Sequence, residues 1–435
     1  MKIGFVSMPL SGHMNPMTAL ARKLQSRGNE IVFLGVPDAE PFVRAANLSF
    51  IPFGEKEYPL GSVPKLWSGV AKMHGLEVVQ YSVQKLSPGM LQVGFDYLGE
   101  KIKEHGIDAL VFDSVYFYLE FVAIHMGVPY VQVYNILNLD FSGATPNGLF
   151  SWPYKTGQEA LDKNVEGLQI VGELFSGMVS VAKPYAEKVG LEVDWNNPNS
   201  TASKLAIVSQ LPKEFDFPNI PWPPQFHYAG PFHDGAGREP VPFPWEKLNN
   251  KALIYGSLGT LVNGLEDIYR TILKAVGPLQ NVQLVLSVGK NLNLADLGPI
   301  PENTIVVPSA PQVELLKRSV LCITHAGLNT TLESLAAGVP MVAIPVGYEQ
   351  PGVAARIAYH GAGEFVEVED LTVERLSDLI RRVRKNPVYR ERARYFQKVI
   401  SQTRGLDTAA SAIEQAFGIN LTVDSAGEHS ELLHA

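Results

Sequence analysis

Short apolar runs recur in two parts of the chain, and longer amphipathic stretches separate them. In the first part the runs start at positions 2, 30, 107 and 128, and in the second at positions 251, 282, 304, 320, 339 and 363. Runs that are apolar almost throughout are typical of strands buried on both faces, as in a parallel sheet covered by helices. The pattern therefore predicts an α/β protein with two doubly wound, Rossmann-like domains.

The stretch after the first run has the pattern of an amphipathic helix. Apolar residues recur at helical spacing between positions 17 and 24. Asn15 followed by Pro16 predicts the N-cap and the first helical residue, because asparagine is a good cap and proline is tolerated directly after it. Further helices are predicted at 115–126 and 371–417.

Two segments, 58–100 and 141–200, show no clear period. Their large apolar side chains are predicted either to line an apolar pocket or to belong to an ordinary core: Trp67, Met73, Phe141, Phe150, Trp152, Phe175 and Met178. The stretch 218–248 is dense in proline, glycine and aromatic residues and has no period, which is typical of a domain boundary.

The length of 435 residues also favours two domains, because it exceeds what one core usually serves. The predicted organisation is an N-terminal domain at 1–232, a linker at 233–249, a C-terminal domain at 250–400, a helix at 401–418 that packs back on the N-terminal domain, and a disordered tail at 419–435.

Composition narrows the function classes. The net charge of −8 argues against nucleic acid as a partner, because no basic excess is present to neutralise phosphates. The single cysteine, Cys322, cannot form an intrachain disulfide, which favours a reducing, cytoplasmic location. No apolar run is long enough for a transmembrane segment, and the first run is too short for a signal peptide. The basic run at 381–386 fits peripheral contact with a membrane, although a solvated helix face is the commoner use of such runs.

Two residues in the N-terminal half are candidates for acid–base chemistry. His13 follows the first predicted strand, and Asp113 ends the strand that starts near 107. Ligands of open parallel sheets bind at the carboxyl ends of the strands, and a carboxylate behind an imidazole makes a general base. A turn histidine and a helix-capping aspartate explain the same two positions, so this pair alone leaves both interpretations open.

A second set of candidates lies in the C-terminal half. Ser257 stands in a glycine-bearing turn after a strand, where backbone N–H groups are exposed to a phosphate. A later strand-to-helix junction carries His325, Gly327, Asn329, Thr330 and Glu333. Glycine allows a close approach and a helix N-terminus favours a diphosphate, while a carboxylate one turn further suits sugar hydroxyls. A capping role explains His325 alone, but the whole set predicts a diphosphate site.

The segment "PSAPQVELLKRSVLCITHAGLNTTLESLAAGVPMVAIPVGYEQPG" resembles the donor signature of the UDP-dependent glycosyltransferases with the GT-B fold. Members of this family contain the motif Trp-Ala-Pro-Gln followed by His-x-Gly-Trp-Asn-Ser, with a glutamate four positions after the asparagine. "GHMNPMTALARKL" near the N-terminus is similar to the catalytic loop of the family. The resemblance is strongest to the bacterial branch that includes zeaxanthin and macrolide glycosyltransferases, and it implies an acceptor-binding N-terminal domain and a donor-binding C-terminal domain.

The resemblance also implies roles for individual residues. His13 would deprotonate the acceptor hydroxyl and Asp113 would orient it. The implied donor contacts are Ala310 and Gln312 at the uracil, Ser257, His325, Asn329 and Thr330 at the diphosphate, Glu333 at the ribose, and Glu349 and Gln350 at the transferred sugar, with Gly327 and Leu328 in the same loop.

Three positions depart from the plant version of the signature. Ser309 and Leu328 stand where tryptophans are expected, and Glu349 replaces an aspartate. The first change leaves base selectivity open, and the last leaves the identity of the sugar open.

The function implied is inverting transfer of a hexose, with glucose expected, from a UDP-sugar to a hydroxyl of an apolar small molecule by a monomeric enzyme. The UDP-sugar is a substrate, and neither a cofactor nor a metal is expected, since the chain has no Asp-x-Asp pair. Two alternatives remain. A sugar-nucleotide epimerase would need carboxylates acting on the sugar, and a non-catalytic activator would be expected to lose the base or the donor residues.

Overall fold

A computed structural model describes residues 1–235, 241–289 and 292–419. It contains two parallel sheets flanked by helices, which confirms the two-domain α/β prediction. The strands of the first sheet are β1 (Lys2–Val6), β2 (Glu30–Gly35), β3 (Ser49–Pro52), β4 (Ala109–Asp113), β5 (Tyr130–Tyr134), β6 (Ile207–Ser209) and β7 (Phe226–Tyr228). Those of the second are β8 (Ala252–Ser257), β9 (Val282–Ser287), β10 (Thr304–Val307), β11 (Ser319–Thr324), β12 (Met341–Ala343) and β13 (Gly363–Phe365).

The helices cover both sheets. Those of the N-terminal half are α1 (Ser11–Ser26), α2 (Glu40–Ala45), α3 (Ser62–Trp67), α4 (Gly75–Tyr81), α5 (Ser87–His105), α6 (Glu120–Met126), α7 (Gln158–Leu174) and α8 (Ser176–Val189). The C-terminal half contains α9 (Glu266–Val276), α10 (Gln312–Leu316), α11 (Leu328–Ala336), α12 (Gln350–Tyr359), α13 (Val373–Lys385), α14 (Pro387–Gln402) and α15 (Gly405–Ala416).

The two sheets share one strand order. The first is β3-β2-β1-β4-β5-β6-β7 and the second is β10-β9-β8-β11-β12-β13. In each sheet the second and third strands extend the sheet on one side of the first strand. The fourth strand then pairs with the first strand on its other side. The loops that leave the two central strands therefore diverge, and a ligand crevice opens at this switch point. The crevices lie beyond the carboxyl ends of β1 and β4 in one domain and of β8 and β11 in the other.

The end of the chain returns to the N-terminal domain. Helix α15 packs on α1, with Ile413 and Leu24 both buried in the same core. Full burial of one such side chain contributes about 1.5–3 kcal/mol. Arg27, the C-cap residue of α1, forms ion pairs with Asp407 at 2.7 Å and with Glu414 at 2.8 Å. The predicted tail at 419–435 lies outside the described residues apart from residue 419, and so does 236–240 of the predicted linker.

Helix α1 begins earlier than the sequence predicts. The expected start at Asn15 and Pro16 is wrong, because the helix runs from Ser11 with Leu10 as its N-cap, and Pro16 lies inside it. Proline fits the helical φ, but it has no N–H to donate to the carbonyl four residues before it. The carbonyl of Gly12 is thereby left without its intrahelical partner, and His13 lies in the first turn of the helix. The predicted helix at 115–126 is shorter in the structure, where it starts only at Glu120.

The two segments without a clear period are largely helical. They form α3 to α5 and α7 to α8, with a π-helical turn at Ser82–Leu86 between α4 and α5. Helix α5 is buried over most of its circumference, and the single buried face of α7 includes Asn164 and Gly167, so no clear apolar stripe develops in either sequence. Trp67 and Met178 belong to the buried core, and Phe150 stacks on Trp152.

The described helices were also compared with the length and apolarity that a membrane span requires. No single helix among them meets both requirements. The pair α7 and α8 meets them only when taken together, and it is bent by 64° at the junction.

The two domains make direct contacts across the cleft between the sheets. Asp216 of the N-terminal domain forms a buried ion pair with Arg356 of α12 at 2.7 Å. The backbone N–H of Gly352 donates to the carbonyl of Gly148 at 2.9 Å, and a Cβ at Gly352 would lie 2.6 Å from the backbone of Gly148. A side chain there would push the domains apart, so the closeness of this contact requires glycine.

Candidate functional site

His13 and Asp113 meet at the switch point of the first sheet. His13 Nδ1 lies 3.0 Å from Asp113 Oδ2, although the two residues are a hundred positions apart. Strands β1 and β4 are neighbours in register, so the residues that follow them come together. The side chain of Asp113 is fully buried, whereas that of His13 is 16% exposed and so remains accessible from the cleft.

Hydrogen bonds hold the carboxylate in place behind the imidazole. Ser7 Oγ donates to Asp113 Oδ2 at 2.8 Å, and the backbone N–H of Val115 donates to Oδ1 at 3.3 Å. With Asp113 as the acceptor, His13 carries its proton on Nδ1 and presents Nε2 as a base.

Electrostatics favour a charged His13. Burial opposes the imidazolium, but the charge and the hydrogen bond of Asp113 outweigh it and raise the pKa of His13 above 6.5. The carboxylate of Glu349, on the other domain, adds to the same effect. Burial likewise opposes ionisation of Asp113, yet the charge of His13 and the hydrogen bonds to Asp113 keep the pKa of that carboxyl low. The pair can therefore accept a proton and stabilise it.

His325 occupies the switch point of the second sheet, directly after β11. Its Nε2 lies where Cβ atoms on Gly259 and Gly327 would come within 2.6 and 2.4 Å, so both glycines are required for the loops to close around the ring. Burial lowers the pKa of His325 to about 4. Ala326 adopts a positive φ of 64°, which is unfavourable for alanine and is maintained by the packing around it. A neutral histidine held in this way can donate a hydrogen bond but carries no charge near pH 7.

The start of α11 faces the first turn of α1 across the cleft. Asn329 Nδ2 donates to the carbonyl of Gly12 at 2.7 Å, which supplies the partner that Pro16 cannot. Thr330 lies buried behind Asn329. The side chain of Leu328 is buried in the core of the C-terminal domain, so only its backbone is available to a ligand. Free N–H groups at this helix end form a site suited to a diphosphate.

Gln312 and Glu333 form a polar pair beside α11. Gln312 Nε2 donates to Glu333 Oε2 at 2.7 Å, and the hydroxyl of Tyr255 donates to Gln312 Oε1 at 3.1 Å. The amide of Gln312 thus orients the carboxylate. Ala310 lies two residues earlier, just before α10, and packs on the core of the domain. His233 also approaches, with its Nε2 at 3.7 Å from Glu333 Oε1.

Glu349 and Gln350 stand at the start of α12. Gln350 Oε1 accepts from the backbone N–H groups of Val346 and Gly347 at 2.9 and 3.0 Å, so it shapes the loop that carries Glu349. Tyr348 has a positive φ of 54°, and its hydroxyl bonds Ser82 Oγ of the N-terminal domain at 2.9 Å. Burial raises the pKa of the Glu349 carboxyl, and the charge of His13 opposes this rise. The carboxylate of Glu349 is thus near enough to His13 for the two charges to interact across the domains.

A model of the family described as UDP-glucoronosyl and UDP-glucosyl transferase matches residues 176–414, more than half of the chain. This chain belongs to that family. The UDP-glycosyltransferase also resembles curated relatives over nearly its whole length. It is 25% identical to zeaxanthin glucosyltransferase of Pantoea ananas, covering 95% of both chains. It is 27% identical to NDP-glycosyltransferase YjiC of Bacillus subtilis (strain 168), covering 95% of this chain and 96% of the relative.

Solved structures show the same fold. The kitacinnamycin glycosyltransferase has a TM-score of 0.75 and 21% identity, over 96% of this chain and 99% of that one. The calicheamicin glycosyltransferase CalG4 has a TM-score of 0.70 and 20% identity, over 96% and 98%. The expectations of the family and of the GT-B fold are therefore confirmed.

The structure brings the predicted residues of the glycosyltransferase to the two facing switch points. Ser257 ends β8 next to His325, and its Oγ accepts from the N–H of Gly259 at 3.3 Å. Sequence reasoning missed Ser7 and Asn135, which hold the base pair from within the N-terminal domain, and Gln210 and His233, which contact the other domain. Each lies outside the recognisable motifs, and only Pro16, which lies inside α1, offered a hint that a nearby carbonyl would need an outside donor.

Proposed function

We propose that this glycosyltransferase moves glucose from UDP-glucose to a hydroxyl of an apolar small molecule, with inversion at the anomeric carbon. The observation that carries the proposal is the His13–Asp113 pair, which faces the N-terminus of α11 across the cleft. A base on one side and a helix end for the diphosphate on the other are what a direct displacement needs.

The reaction follows from this placement. His13 Nε2 takes the proton of the acceptor hydroxyl while that oxygen attacks the anomeric carbon. The bond between the anomeric carbon and the diphosphate oxygen breaks, and UDP leaves with the electron pair. Asp113 stabilises the imidazolium. Backbone N–H groups of α11 and the neutral ring of His325 take the charge of the leaving group, so the step needs no metal ion.

The donor side is assigned by position. We assign Glu333, which accepts a hydrogen bond from Gln312, to the ribose hydroxyls, and Ala310 to the uracil. Thr330 in the first turn of α11 and Ser257 at the end of β8 are assigned to the diphosphate. The carboxylate of Glu349 is assigned to hydroxyls of the transferred sugar.

The acceptor is proposed to be apolar because several apolar side chains of the N-terminal domain, among them Met73, Phe141 and Trp152, are only partly buried. Similarity to zeaxanthin glucosyltransferase makes a carotenoid diol the first acceptor to test. The test is a mass-spectrometric screen of UDP-glucose, UDP-galactose and UDP-glucuronate against pooled phenols, sterols and carotenoids. A glucosylated product that requires His13 is expected. Transfer from another UDP-sugar alone would overturn the assignment of glucose.

The metal-free step is tested in the same assay with a chelator present. Activity is expected to persist. Inhibition that Mg²⁺ or Mn²⁺ reverses would contradict the proposed role of α11.

Glu349 offers a test of sugar choice. Glu349→Asp withdraws the carboxylate by about one C–C bond, a displacement of the size that costs roughly 10²-fold when reacting groups are misplaced. The ratio of turnover with UDP-glucose to that with UDP-galactose should change, while calorimetry should give an unchanged affinity for UDP. Equal ratios in the two proteins would remove Glu349 from the sugar site.

A further inference from the structure

Gln210 lies where the two halves of the active site meet. It follows β6 directly and its side chain is fully buried. Its Nε2 donates to the carbonyl of Asn135 within the N-terminal domain and to Oδ1 of Asn329 in the donor domain, the latter at 3.0 Å. One amide group therefore touches both the acceptor domain and the helix that faces the donor diphosphate.

These contacts belong to a closed ring of hydrogen bonds. Asn135 Nδ2 donates to the carbonyl of His13 at 3.4 Å, and Asn329 Nδ2 donates to the carbonyl of Gly12 at 2.7 Å. Starting at His13, the ring passes through Asn135, Gln210 and Asn329 and returns to Gly12, the residue next to the base. The turn that carries His13 is thereby held from both sides by groups that Gln210 connects.

The sequence explains why the carbonyl of Gly12 is available to this ring. Pro16 has no N–H, so the carbonyl of Gly12 is free to accept from Asn329. Gly12 lies at an exposed position on the cleft side of α1, and the partner of its carbonyl comes from the other domain. The contact therefore forms only when the donor domain is docked against α1.

We propose that Gln210 is a positioning residue that aligns His13 with the bound donor by linking the start of α11 to the turn that carries the base. The proposal rests on the proposed function, since it assigns the base to His13 and the diphosphate to α11. Transfer requires the acceptor oxygen, the anomeric carbon and the leaving oxygen to be in line, and a misplacement of about 1 Å can cost roughly 10²-fold. These groups are carried by different domains, so a rigid link between them controls the alignment.

The electrostatics of the base agree with this geometry. The side chain of Asn135 lies close enough to both His13 and Asp113 to raise the pKa of the imidazole and lower the pKa of the carboxyl. Gln210 holds Asn135 through its carbonyl. Loss of Gln210 should let Asn135 move, and the acid limb of the pH–rate profile should then shift to lower pH.

The experiment compares Gln210→Met with a matched control, Gln283→Met. Gln283 is also buried and also uses its amide to hold backbone groups, but these belong to residues 247 and 249, away from the cleft. Methionine keeps the size of glutamine and removes the hydrogen bonds. Both variants should lose similar thermal stability. Only Gln210→Met should lower kcat, by about 10- to 100-fold, with KM for the UDP-sugar within about twofold of wild type.

A double-mutant cycle with Asn329→Ala tests the link itself. If Gln210 acts through Asn329, the double variant should be no slower than the slower single variant. Losses in kcat that multiply would overturn the proposal, and so would a Gln210→Met enzyme that matches the Gln283→Met control in kcat and in its pH profile.

A second variant covers the case in which Gln210→Met does not fold. Gln210→Asn keeps the polar group but is too short to reach both partners, so it should show the same split between kcat and KM. Failure of the proposed function is a separate result: His13→Ala would then retain activity. Loss of activity in His13→Ala, together with a Gln210 variant equal to its control, would overturn only the role of Gln210.

Discussion

The two histidines at the switch points each follow one of the two central strands of their sheet, yet they have opposite electrostatics. His13 follows β1 and faces Asp113, the last residue of the neighbouring strand β4. His325 follows β11 and faces Ser257, the last residue of the neighbouring strand β8. The carboxylate raises the pKa of the first imidazole, whereas burial without a carboxylate lowers the pKa of the second to about 4.

The residue at the end of the adjacent strand, Asp113 or Ser257, therefore decides whether the imidazole can be protonated near pH 7. With a carboxylate the imidazole can store a proton, as a general base must. Without one it stays neutral near pH 7 and can donate a hydrogen bond without carrying a charge. Under the proposed function, the same topology would supply a base in the acceptor domain and a fixed, uncharged hydrogen-bond donor in the nucleotide domain.

The largest effect is expected from removing the base. His13→Ala should lower the rate of transfer by about 10²- to 10⁴-fold, the usual contribution of a general base. Affinity for UDP, measured by calorimetry, should be nearly unchanged because the proposed nucleotide site lies in the other domain. Loss of UDP binding together with activity would show that His13 is structural.

Asp113→Asn tests why the two histidines differ. The amide keeps the shape of the carboxylate but removes the charge that raises the pKa of His13, so turnover should fall by roughly 10²-fold. The wild-type rate should fall with decreasing pH as His13 is protonated, with a midpoint above 6.5. In the variant that midpoint should move to lower pH. An unshifted acid limb would separate Asp113 from the titration of the base.

Glu333→Ala probes the nucleotide side alone. Ribose contacts are made equally in the ground state and the transition state, so KM for the UDP-sugar should rise and kcat should change little. A hydrogen bond to a carboxylate contributes about 1.5–3 kcal/mol, which corresponds to an increase of roughly 10- to 100-fold in KM. Glu314→Ala, at an exposed position of α10, is the control. Retained affinity for UDP would exclude Glu333 from the site.

The smallest effect is a titration that should not occur. NMR of histidine-labelled protein, assigned with His325→Gln, should show the ring of His325 neutral down to about pH 5, because its pKa is about 4. Ser257→Asp should raise that pKa by placing a carboxylate at the end of β8. If the wild-type ring of His325 titrated near pH 6.5, the proposed difference in pKa between His325 and His13 would be wrong.

Much of the fold could be predicted from the sequence because apolar runs report strands buried on both faces. The runs at 2, 30 and 107 match β1, β2 and β4 closely. The helices around the π-helical turn Ser82–Leu86 were not predictable, since residues buried on several sides leave no period. The start of α1 was missed for a different reason: Asn15 and Pro16 are a good local start signal, but tertiary contacts extend the helix back to Ser11.

By itself the sequence determined the family, the order of the strands along the chain and the residue types of the site, because motifs such as "THAGLNTTLE" are local. Only the tertiary structure decided which of these residues meet. The 3.0 Å contact of His13 with Asp113 and the bond of Asn329 with Gly12 join residues separated by 100 and 317 positions. Such contacts depend on strand pairing and on domain docking, and the charge state of each histidine follows from the neighbours that docking provides.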